Sequence, residues 1–170
     1  MQSQRRTAPL ATPLALGLTI FAVASGHAET PATPAPGQPA VHPAFQRVVS
    51  RMTGGAEGFK TAVAISQDGT RILAQKNMTM TSPQELMAVA AAFARPGVAT
   101  TQGLSLAGML YEISELPPDG LIGKKGTSNF VATKTNQAIL IGVFVGDELP
   151  PSAAQVFAEQ NADYLRSLGL

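Results

Sequence analysis

Two apolar, strand-like runs, Phe130 to Thr135 and Gln137 to Val145, meet at a tight turn at Thr135-Asn136. A connection this short joins antiparallel neighbours, which commits the C-terminal half of the chain to an antiparallel sheet. Earlier segments supply more strands. Phe59 to Ser66 alternates as a strand, Gln67-Asp68-Gly69-Thr70 is an Asp-Gly hairpin turn, and Ile72 to Gln75 begins the return strand. Leu104 to Ala107 and Met109 to Glu115 fit two further strands, after which Leu116-Pro117-Pro118-Asp119-Gly120 turns the chain. Helical periods punctuate these runs. Phe45, Val48, Val49 and Met52 recur at helical spacing until Gly54-Gly55 stops them. Ser82 is placed to cap a second helix, with Pro83 first inside it and Glu85 completing a capping box. Leu86, Val89, Ala90 and Phe93 form its buried stripe, and Arg95-Pro96-Gly97 ends it. A last helix spans Pro151 to Leu168, with Ala153, Phe157, Asn161, Tyr164 and Leu168 near one face. The order helix, hairpin, helix, meander, helix predicts an α+β fold. Its central sheet is mostly antiparallel, with the N- and C-terminal helices on one face and a further helix on the other.

The first 43 residues do not belong to that pattern. Arg5-Arg6 precede an apolar run from Leu14 to Val23 that ends in small residues, with cleavage sites at Ala22-Val23-Ala24 or Gly26-His27-Ala28. This is the grammar of a secretion signal over residues 1–28, which predicts a secreted or periplasmic protein. An uncleaved anchor, or a cytoplasmic protein if the signal is unused, is the alternative. Pro31, Pro34, Pro36, Pro39 and Pro43 then mark a linker over residues 29–43 that favours extended polyproline-II backbone. Residues 44–170 form one globular domain.

Composition excludes several kinds of chemistry. Without Arg5 and Arg6 the chain carries ten basic against eleven acidic residues, so no basic surface for nucleic acid is expected. There is no cysteine, and His27 and His42 both lie before the domain. Triads, Cys-His dyads and the common zinc sites are therefore ruled out, and neither metal nor cofactor is expected. Asp147-Glu148 is a lone acidic pair in a loop before Pro150-Pro151. Gly54 to Thr61 resembles a phosphate loop only superficially, because Phe59 separates Gly58 from Lys60 and a helix precedes it. These residues predict a protein that is not an enzyme.

Short motifs add a family resemblance. Asp68-Gly69 with Ala74-Gln75, Pro83 to Phe93 with Pro96-Gly97, and Leu104 to Gly108 with Tyr111 stand in order. Gly123-Lys124-Lys125-Gly126, Lys134 to Ile139, and Asp163-Tyr164-Leu165 with Gly169-Leu170 follow them. Together, from about Phe45 to the last residue, they resemble the profilin family, and the run Gly120 to Phe144 is similar to that family's C-terminal hairpin.

The resemblance implies a non-enzymatic protein that binds monomeric actin and regulates its polymerisation. Positions matching the actin surface are Leu110, Ile113, Glu115, Lys124, Lys125, Lys134, Gln155 and Glu159. Leu110 and Glu115 stand where many members carry basic residues. A second implied surface takes proline-rich ligands, and its positions here are Phe45, Val48, Leu73, Tyr164 and Leu165. Flat aromatic rings suit a polyproline-II helix, yet this chain has no tryptophan. Each missing aromatic anchor costs roughly 2 kcal/mol, about thirtyfold in affinity, so weak binding of free proline-rich peptides is expected. Two rival readings accompany actin binding. One is an exported scaffold whose own proline-rich linker docks on the cleft between the terminal helices. The other is binding of phosphoinositides or anionic lipid through Lys124 and Lys125.

Overall fold

The computed structural model describes residues 41–55, 58–78 and 82–170. The signal assigned to residues 1–28, and the linker as far as residue 40, lie outside the described residues. The elements run α1 (Pro43–Met52), β1 (Thr61–Ser66), β2 (Ile72–Lys76), α2 (Pro83–Ala94), α3 (Pro96–Gln102), β3 (Leu104–Leu106), β4 (Met109–Glu115), β5 (Gly120–Lys125), β6 (Ser128–Lys134), β7 (Ala138–Val145) and α4 (Pro151–Ser167). Seven strands form one sheet in the order β2-β1-β7-β6-β5-β4-β3, and every neighbouring pair is antiparallel. Pairing of β1 with β7 brings the two ends of the domain together, so α1 and α4 pack side by side.

Both sheet faces are covered. Ala62, Ala64, Ile122, Val131, Leu140 and Phe144 meet Phe45, Val48, Val49 and Met52 of α1 and Ala154, Ala158 and Leu165 of α4. On the other face Val63, Ile65, Leu121, Phe130, Ile139 and Ile141 meet Leu86 and Val89 of α2 and Ala99 of α3. This is why the central strands β1, β6 and β7 are buried almost throughout instead of alternating between core and solvent. The arrangement of terminal helices on one face and a further helix on the other is the expected one. The capping box of α2 also forms as read, with Ser82 and Glu85 each accepting the other's backbone N–H.

Four local expectations need correction. Gly120 to Lys125 is a full strand, so the stretch through Phe144 is a three-strand meander and not a hairpin. Two glycines and a terminal lysine pair hide it from propensity. The aromatic ring of Phe130 fills the space above Gly123 and makes the weak strand pack. Second, Pro96 does more than end α2, because it starts α3 at the position where a missing N–H costs least. Third, α1 begins at Pro43 rather than after it, and the His42 Nδ1 accepts the Ala44 N–H at 3.2 Å as its cap. Last, α4 buries Ala154, Ala158, Asn161, Ala162 and Leu165, while Ala153 and Leu168 are exposed. Its alanines let the helix lie close on the sheet, which turns the larger Phe157 and Tyr164 to the flank.

Candidate functional site

Strand register decides which surface residues share a face. Glu112 of β4 stands opposite Lys124 of β5, which stands opposite Asn129 of β6. Since β5 and β6 bury Ile122 and Val131 under α1 and α4, Lys124 and Glu112 lie on that same face, beyond the edge of α4. Glu115 joins them opposite Ile122, past a register shift between Ile113 and Glu115. Leu110 precedes Glu112 by two residues and is 58% exposed. The α4 flank that carries Glu159 and Arg166 turns toward β6, because the Arg166 Nη2 donates to the Lys134 carbonyl. Gln155 and Glu159 therefore border the strand residues, whereas Phe157 and Tyr164 face Phe59 and α1.

Of the eight residues assigned to an actin surface, Leu110, Glu115, Lys124, Gln155 and Glu159 thus share one side of the molecule. Ile113, Lys125 and Lys134 alternate to the other sheet face, and Ile113 packs against its core. Arg166, which motif reading passed over, organises the helical border. Its Nη1 donates to Asp163 Oδ1 at 2.7 Å and to Glu159 Oε2 at 3.2 Å. Burial opposes its charge, but these carboxylate partners outweigh burial and hold its pKa above the ordinary arginine value. A signal for it was present: Asp163, Glu159 and Arg166 lie three and seven residues apart on one helix.

The residues assigned to proline-rich ligands are mostly interior. Phe45, Val48 and Leu165 are buried between α1, α4 and the sheet, while Leu73 and Tyr164 are half-buried at its margin. The Tyr164 hydroxyl accepts from Arg47 Nη1 at 3.1 Å, which ties α4 to α1. A cleft of about 160 Å³ opens at the start of α1, lined by Val41, His42, Phe45, Arg71, Leu73, Gln137 and Leu170. Phe45 and Leu73 reach it, and Val48, Tyr164 and Leu165 do not line it. Among the described residues, no group of three or more His, Asp or Glu side chains could hold a metal.

Comparison with known proteins identifies the family and the fold. The family model described as Profilin matches residues 44–170. Profilin-1 of Dictyostelium discoideum is 30% identical over 125 residues, covering 74% of this chain and 98% of its own. The crystal structure of Acanthamoeba castellanii profilin II is 31% identical with a TM-score of 0.67, covering 74% of this chain and 99% of that one. Profilin of Schizosaccharomyces pombe is 28% identical, also with a TM-score of 0.67 and the same coverage. The chain belongs to the profilin family, whose members are non-enzymatic actin-binding proteins.

Proposed function

We propose that this profilin binds monomeric actin through β4, β5 and the adjoining flank of α4, and that it does so after export by its N-terminal signal. The observation that carries the reading is the gathering of Leu110, Glu115, Lys124, Gln155 and Glu159 on one side of the molecule. Leu110 supplies an uncovered apolar contact, and Lys124 with Glu112 and Glu115 forms a mixed-charge rim around it. Rim charges of this kind set association rate and orientation more than total affinity. Pyrene-labelled actin is the test: the purified domain should slow spontaneous polymerisation, and no effect at tens of micromolar protein overturns the proposal. Fractionation with N-terminal sequencing tests export, which an intact N-terminus in the cytosolic fraction would overturn.

A second reading concerns the weakened proline-rich site. Val41 and His42, the residues that follow the proline-rich segment, themselves line the cleft that holds Phe45 and Leu73. The segment is thereby tethered at the cleft, where high effective concentration offsets weak intrinsic affinity. Deleting residues 29–40 should then strengthen binding of an added proline-rich peptide. Unchanged binding would discard self-docking. Phosphoinositide binding through Lys124 and Lys125 is less favoured, since strand alternation directs the two side chains to opposite faces. Flotation with anionic vesicles tests it directly.

A further inference from the structure

We infer that Glu85, on the far side of the sheet, is a positioning residue for partner binding, because it clamps the β3–β4 turn that presents Leu110. This rests on the actin reading above and extends it to a residue outside the contact surface.

A capping box uses one carboxylate oxygen, and here that oxygen is Glu85 Oε2, which accepts the Ser82 N–H at 2.9 Å. The other oxygen has a different task. Oε1 accepts the Ser105 hydroxyl at 2.8 Å and the Gly108 N–H at 2.9 Å, joining α2 to a hairpin twenty or more residues along the chain. That hairpin needs outside support. Its turn places both Ala107 (φ +52°) and Gly108 (φ +72°) in the left-handed region, which glycine or asparagine tolerates and alanine resists. β3 has three residues and stands at the sheet edge, where among the described residues it pairs with β4 alone. The strands are held by core packing, and the clamp adds a polar constraint at the strained tip.

Leu110 follows Gly108 by two residues and rests on Gly103, where an added Cβ would come within 3.1 Å of its Cδ1. Leu104, Leu106 and Tyr111 anchor the body of the hairpin in the core, so the clamp acts on the tip at Ala107 and Gly108; without it the tip loosens, and Leu110 beside it loosens too. Binding must then order it again, which lowers affinity.

The test uses the full domain, monomeric actin, and amide hydrogen exchange read at Gly108. Glu85→Ala should accelerate Gly108 exchange and weaken actin binding about threefold to tenfold. Combined with Leu110→Ala, it should add little further loss, because both changes act through one contact. Glu85→Gln keeps an acceptor and should recover most of the affinity. Ser105→Ala removes one clamp donor without touching the helix cap and should weaken binding in the same direction, which covers the case where Glu85→Ala folds poorly. Ser82→Ala lowers helix stability alone and should leave both readouts unchanged. Wild-type affinity in the Glu85→Ala and Ser105→Ala variants, unaltered Gly108 exchange, or an equal loss in Ser82→Ala overturns the inference. Absence of binding by the wild-type domain instead overturns the actin reading on which it rests.

Discussion

The ring of Phe130 lies across Gly123 on the neighbouring strand, so closely that a Cβ at position 123 would come within 2.1 Å of it. The two residues are register partners in β5 and β6, and Phe130 also meets Tyr111 edge-on at 5.1 Å between centroids. Any side chain at 123 must displace a fully buried ring. Gly123→Ala should therefore destabilise the domain by about 2 to 3 kcal/mol, as overpacking of a close-fitted core does. Urea denaturation checks it. Adding Phe130→Leu should cost less in the Gly123→Ala background than in wild type, and strict additivity would show that the ring is not the obstacle.

Glu85 makes the domain sensitive to acid. Burial tends to raise its pKa, but the N–H groups of Ser82 and Gly108 and the Ser105 hydroxyl outweigh it and hold the carboxyl below the ordinary glutamate value. The unfolded chain thus binds the proton more tightly than the folded one. Its stabilising contribution is complete above the unfolded pKa and is lost as pH falls through the lower folded value. As pH falls through and below the ordinary glutamate range, Glu85→Gln should lose stability less steeply than wild type. Parallel profiles in urea melts would remove Glu85 as a contributor.

Arg166 joins Asp163, Glu159 and the Lys134 carbonyl with one guanidinium. A lysine cannot span these three acceptors with the same planar fork. Arg166→Lys should therefore cost nearly as much as Arg166→Gln, about 1 to 2 kcal/mol for partly exposed charge-assisted bonds. Thermal unfolding of the pair provides the comparison, and full rescue by lysine would reduce the contact to simple charge pairing.

Lys124 is exposed and makes no ion pair in the described domain. Lys124→Gln, which removes the charge without setting a second carboxylate opposite Glu112, should leave the melting temperature nearly unchanged while slowing association with actin about threefold at low salt. Stopped-flow rates at two ionic strengths test this. A changed dissociation rate with unaltered association would place Lys124 inside the interface instead of on its rim.

Much of the fold can be read from local pattern. Phe45, Val48, Val49 and Met52 mark α1 by spacing, Ser82 and Glu85 mark the start of α2, and Asp68-Gly69 marks the first hairpin, because each signal is contained within a few residues. β5 and α3 escape such reading for a common reason. Gly123 is a strand residue only because Phe130 covers it, and Pro96 opens a helix only because the chain bends sharply at Arg95, at φ −137° and ψ 65°.

The candidate surfaces divide along the same line. Sequence by itself determined the family, most of the order of elements and the chemistry ruled out by the absence of cysteine, since residue types and their spacing carry that information. Tertiary structure alone decided which of Leu110, Ile113, Lys124, Lys125 and Lys134 share a face, because strand register alternates side chains and adjacent lysines look identical in one dimension. It also decided that Glu85 and Arg166 organise the edges of that face. Their partners lie twenty or more residues away, at Ser105, Gly108 and Lys134, and only the folded sheet brings them within reach.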